Sequence, residues 1–293
     1  MDFGRLMTAM VTPFDAGLNI DFQKVDALVE HLIATGTTTI VVAGTTGESP
    51  TLSHDEKLAL FQHVVEKVAG RVKVVAGTGS NNTADSVQFS QEAEALGVDG
   101  LLLVAPYYNK PSQEGLYQHF KTIAESVKIP CILYNIPGRT SINVEASTQL
   151  RLAQIPNIVA TKESSGDFSQ IIDILSGAPE GFYVYSGDDF LTLPMMSIGA
   201  YGIVSVAAHV VGEEMTAMIN AFVEGNLAEA VRLNIELTPV FKGLFLTTNP
   251  TLVKAALSTQ GIEVGGVRLP LVAADESLIE EVKKRLKKVK DKA

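Results

Sequence analysis

The stretch Cys131-Ile132-Leu133-Tyr134-Asn135-Ile136-Pro137-Gly138-Arg139 decides how the rest of the chain is read. The run Cys131–Asn135 is apolar as far as Tyr134 without apolar/polar alternation, and a Pro-Gly breaker follows it. A strand with one wet face alternates, whereas a strand covered on both faces does not. Cover on both faces belongs to parallel sheets with helices outside them. Seven further runs have related character: Met7–Val11, Thr39–Ala43, Val72–Ala76, Leu101–Ala105, Ile158–Lys162, Tyr183–Ser186 and Ile203–Val206. Helix-period segments with their own punctuation lie between them. Asp21 opens one that Gly36 closes, and Ser53-His54-Asp55-Glu56 is a capping box whose helix ends at Gly70. Thr83 starts a segment ending at Leu96-Gly97, Ser112 starts another, and Asp167-Phe168-Ser169-Gln170 repeats the cap pattern. Strand and helix alternating eight times predict an α/β fold, a (β/α)8 TIM barrel, with a doubly wound open sheet as the alternative. Beyond Val206 the pattern is helical, over 213–222, 226–246, 252–258 and the tail. The expected organisation is a barrel carrying the site over residues 1–224 and a C-terminal helical extension over 225–293 packed on it.

With 293 residues, 46% hydrophobic, the chain is long enough to bury a large core. A formal charge of −10 repels phosphate backbones, which argues against a nucleic-acid partner. Seven of the 23 basic residues fall between Lys283 and Ala293, Lys292 among them. Ile279, Val282, Leu286 and Val289 form one helical stripe there, so the lysines read as the solvated face of a terminal amphipathic helix. Cys131, the single cysteine, cannot form an internal disulfide and lies in an apolar run, as a buried inert thiol does. The opening Met1-Asp2-Phe3-Gly4-Arg5 does not resemble a signal peptide, and no apolar run has spanning length. A soluble cytoplasmic protein, without a membrane partner, is the expectation.

In a barrel of this kind the chemistry sits where strands end. Lys162 ends the sixth run, and parity places Ile158, Ala160 and Lys162 on one side of it. If that side is the interior, the amine is partly desolvated and available as a nucleophile. The competing reading is a lysine reaching solvent or pairing with Glu163. Tyr134 ends the neighbouring fifth run, where a phenol relays protons beside an amine, or is a core tyrosine satisfied by backbone. Tyr107 and Tyr108 carry the same ambiguity. Gly44-Thr45-Thr46-Gly47-Glu48 reads as a strand-to-helix turn whose amides and hydroxyls cup a small carboxylate. Gly77-Thr78-Gly79 is no more than a turn signal. Arg139, in a Pro-Gly loop at the mouth, clamps a carboxylate or pairs with a nearby acid. His31, His54, His63, His119 and His209 lack metal-ligand spacing, so no metal is expected.

Four segments together resemble the dihydrodipicolinate synthase (4-hydroxy-tetrahydrodipicolinate synthase) family, within the pyruvate-dependent class I aldolases that include N-acetylneuraminate lyase. They are Gly44-Thr45-Thr46-Gly47-Glu48-Ser49, Tyr107-Tyr108-Asn109-Lys110-Pro111, Tyr134-Asn135-Ile136-Pro137-Gly138-Arg139-Thr140 and Lys162-Glu163-Ser164-Ser165-Gly166. The resemblance implies condensation of pyruvate with L-aspartate 4-semialdehyde to 4-hydroxy-tetrahydrodipicolinate, at the head of lysine and diaminopimelate biosynthesis. It implies a Schiff base on Lys162 with no separate cofactor, and a proton relay of Tyr134, Thr45 and Tyr108, the last reaching a neighbouring subunit's site. It implies Thr46 on the pyruvate carboxylate, Arg139 on the semialdehyde carboxylate, and Gly187 and Val204 beside the adduct. A homotetramer, a dimer of dimers, is implied as well.

Lysine-inhibited members of that family use positions matching Ser49, Pro50, His54, Lys57, Asn81, Asp85 and Tyr107. Pro50, Lys57 and Asp85 depart from the inhibited bacterial pattern, and a cation at position 57 opposes capture of an ammonium. Weak or absent lysine feedback is the expectation. Near the C-terminus, Asn249-Pro250-Thr251-Leu252 departs from the commoner Asn-Pro-Ala-Pro, which reads as a loop change without catalytic consequence. The alternatives are another pyruvate-dependent aldolase or lyase, against which Arg139 argues, and an α-keto acid sensor, which needs no proton relay.

Overall fold

The apolar runs become eight parallel strands. The computed structural model describes residues 2–291, so Met1, Lys292 and Ala293 lie outside it. In order the strands are β1 (Leu6–Ala9), β2 (Thr39–Val42), β3 (Lys73–Gly77), β4 (Gly100–Val104), β5 (Cys131–Asn135), β6 (Ile158–Glu163), β7 (Tyr183–Ser186) and β8 (Gly202–Ser205). Each pairs with the next, and β8 returns to β1, closing the barrel. The open-sheet alternative is thereby excluded.

Strand parity sorts side chains into two shells. Met7, Val41, Val75, Leu102, Ile132, Ala160, Tyr185 and Val204 fill the interior. Their neighbours Ile40, Val42, Leu101, Leu103 and Leu133 face outward against the helices. Burial of each such side chain contributes about 1.5–3 kcal/mol. Ile158 breaks the parity expected for the sixth strand, because the register slips where Cys131 pairs with Ile158 and Ile132 with Ala160. The slip turns Ile158 to the outer shell and leaves Ala160 inside. An aromatic plug closes the bottom: the Tyr185 hydroxyl donates to the Gly4 carbonyl, and Arg5 stacks 4.2 Å over the Tyr201 ring.

The helices of the ring are α1 (Phe22–Ala34), α2 (His54–Val68), α3 (Thr83–Ala95), α4 (Gln113–Glu125), α5 (Pro137–Thr140), α6 (Ala146–Leu152), α7 (Phe168–Gly177), α8 (Thr192–Ser197) and α9 (Ala208–Val223). Caps form where the sequence places them. Asp21 accepts from the Gln23 and Lys24 amides, Ser53 and Glu56 make a reciprocal box, and Asp167 accepts from Ser169 and Gln170. Past the barrel come α10 (Leu227–Gly243), α11 (Thr251–Thr259) and α12 (Glu276–Lys290). Helix α10 packs on α9 and α12, and α11 on both as well. Val282, Leu286 and Val289 of α12 are buried, while its cations pair locally, as Lys283 does with Glu280 and Arg285 with Glu281. Lys290 reaches Glu214 of α9. No described helix is long and apolar enough to cross a membrane.

Candidate active site at the barrel mouth

Register brings Lys162 between two tyrosines, pairing with Tyr134 on β5 and Tyr185 on β7. Lys162 is only 5% exposed, and its Nζ sits 4.1 Å from the centroid of the Tyr134 ring. Among the described residues it has no carboxylate partner and no hydrogen bond. Its sequence neighbour Glu163 is engaged elsewhere. The Glu163 carboxylate accepts from Asn135 Nδ2 at 3.1 Å, Gln149 Nε2 at 2.9 Å and the Ser165 amide at 2.7 Å. A lysine–glutamate surface pair is therefore not what holds Lys162. Its charge rests against an aromatic face, a weak substitute for water.

A cavity of about 500 Å³ opens here, lined by Thr45, Thr46, Tyr134, Arg139, Gly187 and Asn249 among others. Tyr134 lines it, and its hydroxyl bonds to no described residue. A Cβ at Gly187 would come 1.7 Å from Ser164 Oγ and 3.0 Å from Lys162 Cε, so any larger residue there has to displace the side chains beside the lysine. Ser164 Oγ is itself buried without a partner. Val204 lies in the barrel interior with Tyr134 and Tyr185. Asp188 joins the cavity wall; burial raises its carboxyl above the usual range, while Lys162 and Arg139 pull it back down.

The Gly44–Glu48 segment folds as a tight turn, with the Gly47 amide donating to the Gly44 carbonyl and the Glu48 amide to the Thr45 carbonyl. Thr12 Oγ1 ties it to the loop after β1 by donating to the Gly47 carbonyl at 2.6 Å. The amides of Thr45 and Thr46 have no partner among the described residues, which leaves two donors side by side for an anion. Gly77 and Gly79 are packing glycines, since a Cβ on either would meet backbone at 2.5 Å and 2.4 Å. Arg139 is not in a loop, as the Pro-Gly pair suggested, but in the single turn α5, where Pro137 starts the helix. It is exposed at the mouth and pairs with no described residue.

Tyr108 is not brought to this cavity within the protomer. It is 89% exposed, on a loop that puts it at φ +74°. The positions matched to lysine binding gather elsewhere: Ser49, Pro50, His54, Lys57, Asp85 and Tyr107 line an adjoining cavity of about 440 Å³ that shares Thr45, Tyr134 and Arg139 with the first. Asn81 stands beside it, donating to the Tyr107 carbonyl. Burial lowers the Lys57 ammonium below its ordinary range, and His54 is taken by Glu92 at 2.6 Å. Cys131 is buried, and its thiol is pushed up to about 12, too high for a nucleophile at neutral pH. No described cluster of three His, Cys, Asp or Glu residues has the arrangement to hold a metal.

The Asn249-Pro250-Thr251-Leu252 stretch reads from sequence as no more than a loop change, yet Asn249 Nδ2 donates to Thr46 Oγ1 at 2.8 Å, and Lys254, which carries no local sign of a role, reaches the turn through Glu48. Both lie some 200 residues from their partners, in a segment whose only local signals were a proline and a helix period.

The family model described as the dihydrodipicolinate synthetase family matches residues 2–289. A 4-hydroxy-tetrahydrodipicolinate synthase of Symbiobacterium thermophilum is 59% identical over 285 residues, 97% of each chain. A dihydrodipicolinate synthase structure from Bacillus anthracis superposes with a TM-score of 0.96 at 53% identity, covering 98% of both chains. A further one, from Cyanidioschyzon merolae with lysine bound, gives 0.96 at 44% identity and the same coverage. With the closed barrel and the lysine–tyrosine mouth already in place, a match of this length and identity has one meaning: the chain belongs to the dihydrodipicolinate synthetase family.

Proposed function

We propose that the chain condenses pyruvate with L-aspartate 4-semialdehyde to give 4-hydroxy-tetrahydrodipicolinate, acting as a lyase of lysine and diaminopimelate biosynthesis through a Schiff base on Lys162. The observation that carries this reading is a buried amine with no ion-pair partner, set against a tyrosine ring at the end of a barrel strand. The Lys162 amine adds to C2 of pyruvate, and the carbinolamine loses water to leave an iminium. Loss of a methyl proton gives an enamine, whose carbon bonds to the aldehyde carbon of the semialdehyde while the new alkoxide takes a proton. The semialdehyde's own amine then displaces Lys162 at C2 and closes the ring. Tyr134, Thr45 and Tyr108 carry the protons. Thr46 and the free amides of the turn hold the pyruvate carboxylate, with Gly187 and Val204 bordering the adduct. No cofactor beyond the lysine takes part.

Arg139 receives the carboxylate of the semialdehyde. An exposed, unpaired guanidinium at the mouth, close enough to Asp188 to pull its carboxyl down, supports that placement. Arg139→Ala is expected to cut kcat/KM for the semialdehyde about 10²-fold, the worth of a bidentate charge-assisted clamp. Pyruvate trapping on Lys162 should stay within about threefold of wild type. Steady-state kinetics and borohydride trapping on the same preparation check this, and equal loss of both would make Arg139 structural. A sialic-acid cleavage assay run alongside tests the aldolase alternative, and inactivity in both assays would favour a sensor.

Lysine feedback is weak or absent in this reading. Lys57 brings a cation into the cavity where a ligand ammonium would sit, and Glu92 already engages His54. Lysine at 1 mM is expected to leave the initial rate within about 20% of its uninhibited value. Strong inhibition below that concentration would refute it.

The homotetramer belongs to the same proposal. Tyr108 holds a costly left-handed conformation while almost wholly exposed, which is intelligible if a second copy covers it. Val223, Leu227, Val231 and Ile235, four residues apart along the end of α9 and α10, are each at least half exposed. Sedimentation equilibrium should return the mass of four chains, and a single-chain mass would overturn this assembly.

A further inference from the structure

Glu48 ends the Thr45–Thr46 turn in a left-handed conformation, φ +56°, with its side chain almost fully buried. Each of its carboxylate oxygens goes to a different piece of the C-terminal region. Oε1 meets Lys254 Nζ of α11 at 2.7 Å, in an ion pair whose members are 1% and 2% exposed. Oε2 accepts from the Arg268 amide at 2.9 Å. Lys254 Nζ also donates to the Gly266 carbonyl at 2.7 Å and stands 4.1 Å over the Phe14 ring, beyond β1. One ammonium thus joins the loop after β1, the turn after β2, α11 and the 264–268 segment. Asn249, just before α11, adds a direct contact through its hydrogen bond to Thr46 Oγ1. That bond occupies a lone pair of the threonine oxygen and leaves its hydroxyl proton to point elsewhere, toward an acceptor in the cavity.

Stability alone does not account for the ion pair. Two charges this deeply buried lose in desolvation about what they gain from each other, and apolar pairs of like size do as well or better. Burial lowers the Lys254 ammonium to about 8 against the pull of Glu48, so the pair is held but at a cost. What an ion pair supplies and an apolar pair does not is a fixed direction.

We infer that Glu48, Lys254 and Asn249 are positioning residues for pyruvate: the C-terminal helical region sets the Thr45–Thr46 turn so that its amides and the Thr46 hydroxyl converge on the substrate carboxylate. This rests on the Schiff-base reading above, and the experiment separates the two. Pyruvate trapping by borohydride, followed by intact mass against pyruvate concentration, is measured for wild type, Glu48→Gln, Lys254→Met, the double variant and Asn249→Ala. Rates are normalised to the trapped fraction. Absence of a pyruvate adduct in the wild type would defeat the Schiff-base reading itself. Given a wild-type adduct, each single variant is expected to need about tenfold more pyruvate for half-saturation, with kcat at saturation within about threefold. The double variant should be no worse than the worse single, because the turn is released only once. Asn249→Ala should show the same shift with a wild-type melting temperature, which keeps the test open if Lys254→Met fails to fold. Unchanged pyruvate dependence in the folded variants, with only the melting temperature lowered, would make these residues structural and overturn the inference.

Discussion

Lys162→Ala enzyme should gain no mass from pyruvate and borohydride, and its condensation rate should fall by about 10⁴-fold or more, on the order of 5 kcal/mol of barrier. The size of the effect follows from what the amine does. Without it there is no iminium, the pyruvate methyl keeps its ordinary acidity, and no enamine forms; the remaining groups only hold two substrates side by side. The fold should survive the change. Lys162 makes no hydrogen bond or ion pair to a described residue, so alanine leaves no orphaned partner, only space at the mouth. A wild-type melting temperature with no adduct is the expected combination. Adduct mass that persisted in the variant would place the Schiff base on another amine and sink the assignment; buried Lys254 would then be the next amine to map.

How far the sequence anticipated this depended on the range of the interaction involved. The barrel was legible because strands covered on both faces leave apolar runs, and β5 and β7 fall on Cys131–Asn135 and Tyr183–Ser186 as read. Lys162 and Tyr134 were legible because a polar side chain ending such a run stands out. The parity of Ile158 was not, since a register slip against β5 depends on a partner strand and leaves no mark on β6 alone. Helices α5, α6 and α8 leave no mark in the sequence for a related reason. They are four to seven residues long, too short for a 3.6-residue period to declare itself, and packing on the barrel holds them. Lys254 shows the limit most clearly. In Leu252–Ser258 it reads as the one solvated residue of an apolar helix, yet it is among the least exposed charges in the molecule. Only the return of α11 to the turn after β2, a tertiary event, gives it Glu48.

Tyr134→Phe separates the two jobs that one side chain could be doing at the mouth. The ring packs in the barrel interior and lies under the lysine amine, 4.1 Å away, and phenylalanine preserves both contacts. The hydroxyl makes no hydrogen bond to a described residue, so its removal costs the fold nothing that the geometry shows. A tyrosine kept for packing should therefore tolerate the change with kcat within about threefold of wild type. A tyrosine that moves protons should not. Carbinolamine collapse needs a proton on the departing hydroxyl, and condensation needs one on the new alkoxide; a phenol at this position can deliver both, and a benzene ring can deliver neither. General acid–base groups of this kind contribute about 10²–10⁴-fold, so kcat is expected to fall by roughly 10²-fold or more. Half-saturation by pyruvate should move little, because Thr46 and the turn amides, not the phenol, hold its carboxylate. The same variant should trap pyruvate on Lys162 to completion but more slowly in single-turnover measurements. Fast trapping with an intact kcat would return Tyr134 to the core and leave the relay to Thr45 and Tyr108 alone.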